Sequence, residues 1–193
     1  MKYLIAGLGN MEAEYKGTRH NIGFAVVDHL AAKFDVSFKS ERYGMVGSFK
    51  HKGRTFILLK PNTFMNLSGQ AIRYWTQKEK IKLENTLTVL DDLNLNFGQV
   101  KIKSKGGAGG HNGLKNIEQL LKTSQYPRLR IGIGNKFIKT QQVDFVLGQW
   151  SEEEAILLPK IIKHASEGVL SFGTIGLGRT MNSFNKNIIK DSD

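Results

Sequence analysis

The sequence predicts an α/β fold, a single-domain α/β/α sandwich with a twisted mixed β-sheet flanked by helices. Short β-rich runs alternate with stretches of helical periodicity, and no long linker, repeat or low-complexity segment separates them. One pair of runs is spaced as a hairpin among expected parallel crossovers, which favours a mixed sheet over a purely parallel one. With 193 residues and 40% hydrophobic content the chain can bury one sizeable core, so residues 1–193 are read as one domain.

Strands are expected at 3–7, 44–49, 54–59, 86–91, 99–103 and 129–134, with a further candidate at 143–147. The second and third form the hairpin, turning across 50–53. Helices are expected at 22–34, where Val26, Val27, Leu30 and Phe34 share a face, at 69–80, at 114–121, and from 152 to about 172. Ser151 followed by Glu154 supplies a capping box for the last. Residues 185–193 are polar and are expected to fray.

There is no cysteine, so disulfides and thiolate zinc sites are excluded. Lysine and arginine total 28 against 17 acidic residues, a net charge of +11 that favours anionic partners, with nucleic acid first. Charge alone leaves a merely solvated basic surface equally open. Placement favours binding: Lys101, Lys103 and Lys105 alternate along one segment, as do Arg128 and Arg130, and in strands each set faces one way. No helix is basic on one side and aromatic on the other, so a membrane surface is disfavoured. The opening apolar run has strand length and no signal-cleavage pattern, and the expectation is a soluble cytoplasmic protein.

Gly7-Leu8-Gly9-Asn10 directly follows a predicted strand. A dinucleotide loop would need a third glycine where Glu12 stands and an acidic residue closing the next strand, whereas Asp28 falls inside a helical stretch, so that fingerprint fails twice. The glycines are read instead as a tight turn that presents Asn10. His20 lies on the loop before the first helix. A single histidine is usually an ordinary surface or core residue. Here, however, four loops that each leave a predicted strand carry Asn10, His20, Asn66, Asp91 and Asn112. A histidine can take a proton from water near neutral pH, and an aspartate on its other nitrogen fixes the tautomer. Asparagine amides can hold an ester, a ribose hydroxyl or an oxyanion without charge. No serine or cysteine sits in a nucleophile-elbow context, which favours attack by water, and no His-x-x-x-His pair supports a zinc hydrolase.

The segments Gly7-Leu8-Gly9-Asn10, Glu14-Tyr15, Thr18-Arg19-His20-Asn21-Ile22-Gly23, Thr63-Phe64-Met65-Asn66-Leu67-Ser68-Gly69, Asp91-Asp92-Leu93 and Gly109-Gly110-His111-Asn112-Gly113-Leu114 together resemble the bacterial peptidyl-tRNA hydrolase family. So do Arg128-Leu129-Arg130-Ile131-Gly132-Ile133-Gly134 and Phe145-Val146-Leu147-Gly148, and the ordered set spans about residues 3–184. The resemblance implies a monomeric α/β/α sandwich without metal or cofactor, acting on peptidyl-tRNA at its acceptor stem and 3′ CCA end. It implies His20 as general base with Asp91 orienting it. Asn10, Asn66 and Asn112 would position substrate and water, an amide of Asn10 or Asn112 assisting the oxyanion. Tyr15, Phe64 and Met65 would line the site, and Lys103 with Arg130 would clamp the 5′ phosphate far from the ester.

Three positions depart from the family pattern. Met11-Glu12-Ala13 replaces a proline then glycine, which puts the aim of Asn10 in doubt. Asn94 stands where an aspartate is common, leaving Asp91 as the histidine's partner, and Phe64 replaces a frequent tyrosine but keeps the aromatic body. Two other classes compete: a noncatalytic RNA-binding module on the same fold, and a metal-independent nuclease, for which no phosphoryl-transfer constellation is visible.

Overall fold

The computed structural model describes residues 1–137 and 139–189. In chain order its elements are β1 (Lys2–Gly7), α1 (Ile22–Lys33), β2 (Lys39–Glu41), β3 (Gly44–His51), β4 (Arg54–Pro61), α2 (Ser68–Lys78), β5 (Thr86–Asp92) and β6 (Gln99–Lys103). There follow α3 (Asn112–Leu121), β7 (Arg128–Gly132), α4 (Gln142–Val146), α5 (Glu152–Ile175), α6 (Leu177–Phe184) and β8 (Lys186–Asn187). The strands form one mixed sheet in the order β2-β3-β4-β1-β5-β7-β6-β8. β4, β1, β5 and β7 are mutually parallel, so their carboxyl ends share one edge. The expected β3–β4 hairpin is present, running from Gly44↔Pro61 to His51↔Arg54.

The two-residue period of the central strands sends alternate side chains into two cores. Ile5, Leu87 and Val89 join Val26, Leu30, Ile161 and Val169 beneath α1 and α5, while Leu4, Ala6 and Leu90 join Ala71, Ile72, Leu114 and Ile117 beneath α2 and α3. This is the expected sandwich. α5 begins with the expected capping box: Ser151 Oγ accepts from Glu154 N at 3.2 Å, and the Glu154 carboxylate accepts from Ser151 N at 2.9 Å.

Two expectations are corrected. Residues 143–147 are not a strand. They belong to α4 and its cap, with Leu147 N donating to Val143 O at 3.0 Å. Val143, Val146 and Leu147 recur at helical spacing, and their β-branched composition concealed it. Residues 185–189 do not fray. β8 pairs with β6, Ile188 is buried, and the Asn185 amide brackets Ile102, accepting from its N–H at 2.6 Å and donating to its carbonyl at 3.0 Å. The rest of that expectation, residues 190–193, lies outside the described residues. β2 and α6 were not anticipated, and α3 begins two residues before the expected 114.

The role read for Gly7 and Gly9 also changes. Neither has a positive φ, so no turn geometry requires them. A Cβ at Gly7 would lie 2.3 Å from the Gly23 carbonyl oxygen, and one at Gly23 would lie 2.4 Å from Val89 O and 2.5 Å from Leu8 N. The glycines let the first turn of α1 press directly onto the ends of β1 and β5. Gly23→Ala is therefore expected to cost about 1–3 kcal/mol, because rigid backbone cannot yield as a side chain would. A thermal melt should show a fall of about 2–4 °C per kcal/mol, and an unchanged midpoint would refute the close-packing account.

Candidate active site

The parallel strands bring their carboxyl-terminal loops to one edge, where open α/β sheets bind ligands. Asn10 follows β1 by three residues. Its backbone is held from both sides by the Asn21 amide, whose oxygen accepts from Asn10 N at 2.8 Å and whose nitrogen donates to Asn10 O at 2.9 Å. The Asn10 side chain is thereby left free. Its position rests on Asn21, so replacing the proline-glycine pair by Met11-Glu12-Ala13 does not remove the support.

His20 sits on a single 3-10 turn, Arg19–Asn21, immediately ahead of α1. The preceding Arg19 is buried and pairs with Glu154 at 2.7 Å, with its guanidinium 4.3 Å from the centre of the Phe145 ring and 5.3 Å from that of Trp150. This cluster ties the His20 turn to α4 and to the start of α5.

Asp91, at the end of β5, is only 3% exposed. One of its oxygens, Oδ1, receives His20 Nδ1 at 2.8 Å and His111 Nε2 at 3.0 Å. Burial raises the Asp91 pKa, but the charges and N–H groups of the two histidines outweigh it and hold the carboxyl below its usual range. An ionised carboxylate only accepts, so both facing nitrogens carry protons. For His20, burial lowers the pKa, and the charge and hydrogen bond of Asp91 overcome this and raise it above the ordinary histidine value. His20 Nε2 remains available as a base.

The fourth loop reaches this edge by a different route. β6 is antiparallel to β7 and runs away from the site, so residues 104–111 must travel back. They do so along the arginines of β7. Arg128, fully buried and 3.1 Å from Glu118, donates to Gly106 O. Arg130 Nη2 donates to Gly107 O at 3.2 Å and Ala108 O at 3.3 Å, and Asn94 Nδ2 donates to Gly109 O at 3.2 Å. Gly106, Gly109 and Gly110 adopt positive φ along this path, which their lack of a Cβ permits.

Together these segments enclose a cavity of about 250 Å³. Asn10, His20, Asp91, Asn112 and Arg130 line it, with Val143, Val146 and Leu147 of α4 as an apolar wall. Tyr15, Phe64, Met65, Asn66 and Lys103 do not. Met65 is buried near Gly113 at the start of α3, Asn66 and Phe64 are exposed beside it, and Tyr15 is half-buried on the loop after Asn10. Lys103 and Arg130, the expected phosphate clamp, are diagonal neighbours on the same face of β6 and β7, close enough for two long side chains to reach one group. Lys103 pairs with Arg128, four positions before Gly132 at the site edge, or roughly 13 Å at ~3.3 Å per residue. Arg130 also lies in the cavity wall, its Nε 3.4 Å from Asp92. Arg128, expected on a basic stripe, is interior.

His111, Asn21, Arg19 and the α4 side chains contribute to the site although no local sequence pattern assigns them a role there. His111 carried one usable signal, its place just ahead of a helix. Among the described residues, His20, Asp91 and His111 also form the one group of histidine and acidic side chains compact enough to hold a metal, with ligand atoms within 4.8 Å. Those atoms already bond one another through protons, which a metal ion would have to displace.

A sequence profile described as peptidyl-tRNA hydrolase matches residues 4–192. The peptidyl-tRNA hydrolase of Parabacteroides distasonis is 55% identical over 185 residues, covering 96% of this chain and 99% of that protein. That of Cytophaga hutchinsonii is 53% identical over 185 residues, covering 96% and 98%. The crystal structure of peptidyl-tRNA hydrolase from Acinetobacter baumannii superposes with a TM-score of 0.90 at 36% identity, covering 96% of each chain. By sequence and by fold, this chain belongs to the peptidyl-tRNA hydrolase family.

Proposed function

We propose that the chain hydrolyses peptidyl-tRNA, cutting the ester between the peptide carboxyl end and the 3′ ribose to release free tRNA and peptide. The observation that carries this reading is the His20 imidazole, anchored through Nδ1 to a buried carboxylate while its Nε2 is free to take a proton inside an amide-lined cavity.

In this reading His20 Nε2 takes a proton from water as the water oxygen attacks the ester carbonyl. Asp91 stabilises the imidazolium and stays ionised. Amide N–H groups of Asn10 or Asn112 meet the oxyanion. When the tetrahedral intermediate collapses, the C–O bond to the ribose breaks and the imidazolium returns its proton to the leaving 3′ oxygen. Asn66, Phe64, Met65 and Tyr15 lie outside the cavity and serve the adjoining peptide and CCA end. Lys103 and Arg130 together hold the 5′ phosphate of the acceptor stem, and Arg130 also borders the cavity. The chemistry asks for no metal or cofactor, and the chain works as one domain, a cytoplasmic monomer. Among the described residues no helix is long and apolar enough to cross a membrane.

His20→Ala should lower turnover by at least about a hundredfold, the scale of general-base removal, while tRNA affinity in a filter-binding assay stays near wild type. A folded variant with native turnover would exclude His20 as base. Since the base is the deprotonated form and its pKa is raised, kcat/KM should fall as pH drops through a value above that of an ordinary histidine. Asp91→Asn removes the raising charge and leaves burial, so the residual activity should have its acid limb at lower pH. An unmoved limb would separate Asp91 from the base.

Lys103→Ala should raise KM with little change in kcat and make the logarithmic salt dependence shallower by roughly one unit, as a lost phosphate contact does. Arg130→Ala should lower kcat as well, since it also releases Gly107 and Ala108. Identical profiles for the two variants in a kinetic salt series would contradict this division. Incubation with EDTA should leave turnover unchanged, whereas loss of activity reversed by a divalent ion would require another mechanism.

A further inference from the structure

His111 is not a bystander of the dyad. Its Nδ1 accepts the N–H groups of Gly113 at 3.1 Å and Leu114 at 3.4 Å, which makes it the N-cap of α3. An Nδ1 that accepts cannot hold a proton, so the proton sits on Nε2, the nitrogen facing Asp91. The helix start thus selects the tautomer that donates to the carboxylate. That bond ends on Oδ1, the same atom that His20 uses, and the two rings lie 4.9 Å apart at 44°.

We infer that His111 is a positioning residue for hydrolysis, pinning Asp91 Oδ1 beneath His20 and dividing that oxygen's pull between two imidazoles. The inference rests on the reading of His20 as the base. A carboxylate bound to His20 alone would hold the imidazolium more tightly and make His20 slower to release its proton to the leaving group. With His111 as a second donor, Asp91 stays ionised and oriented while binding His20 less strongly. The positive end of the His111 N–H dipole near an imidazolium acts in the same direction.

Other charges near His20 do not substitute for this contact. β5 presents Asp91 and Asp92, β7 presents Arg130, and the adjacent 3-10 turn presents Arg19. Asp92 faces Arg130 at 3.4 Å, and Arg19 is matched by Glu154 at 2.7 Å. α4 presents Gln142, Val143, Val146 and Leu147, none of which titrates.

Two substitutions separate the functions of His111. His111→Asn places an amide oxygen near the position of Nδ1 and keeps a favoured N-cap, but has no atom at Nε2. His111→Gln carries an amide N–H toward Asp91 and gives up the cap. The pKa of His20, read from its ring-proton NMR shift in the free protein, should rise by about half to one pH unit in the Asn variant. The acid limb of kcat/KM should follow. At pH above that limb, kcat should fall about tenfold with KM unchanged, the scale of one hydrogen bond to a charged group. The Gln variant should restore the His20 titration and most of kcat while melting about 2–6 °C lower, as a lost cap predicts. A wild-type His20 titration in the Asn variant, or equal shifts in both, overturns the inference. Full turnover by His20→Ala would instead overturn the reading of His20 as the base, and the NMR titration would still decide whether His111 tunes His20.

Discussion

The site is organised around a carboxylate at the end of a buried strand. Asp91 is 3% exposed, and an uncompensated charge in such a place costs several kcal/mol. Two imidazole N–H groups supply the compensation, and each arrives on its own segment. His20 arrives because Gly7 and Gly23 let α1 begin in contact with the ends of β1 and β5. His111 arrives because the glycine loop is led back along β7 by Arg128 and Arg130. The glycine contacts and the arginines of β7 look like separate packing features, yet both serve to bring a donor to the same oxygen.

Neutral amides do comparable work around it. Asn21 pairs with the backbone of Asn10, and Asn185 does the same for Ile102, each accepting one N–H and donating to one carbonyl. A side-chain amide of this kind imitates a strand neighbour where no strand is present, and satisfies backbone groups that burial would penalise. It also adds no net charge. Near His20 that matters, because the charge that opposes burial at the imidazole is then that of Asp91.

The sheet, its hairpin and four of the helices could be read from the sequence because they obey periodicities of 2 and 3.6 residues. The residues lining the cavity were also legible, since Asp91 ends a recognisable strand, Asn10 follows one, and His20 and Asn112 fall at the starts of recognisable helices. What escaped depended on contacts between distant segments. Nothing in the local pattern around Arg128 shows that Glu118 and the Gly106 carbonyl will enclose it, so it read as a surface charge. The antiparallel direction of β6 was equally hidden, and with it the return path of the glycine loop. Residues 143–147 were misread for a local reason: five residues are too few to distinguish a helical turn rich in β-branched side chains from a strand.

Asp91 and Asp92 illustrate how the fold assigns different roles to adjacent, chemically identical residues. Successive strand positions face opposite sides of the sheet. Asp92 therefore shares the α2–α3 face with Arg130, lying 3.4 Å from its Nε, and its other oxygen accepts from Asn94 N at 2.8 Å. Asp91 turns to the histidines. Were both carboxylates directed at His20, their combined charge would hold the imidazolium so firmly that its proton could not be passed on near neutral pH. Were neither directed there, burial alone would lower the pKa of His20. Strand alternation gives the His20 imidazole a single carboxylate and leaves the other to anchor Arg130 and the loop that bears His111. The charge balance at His20 and the path of the loop thus follow from the same two-residue step in β5.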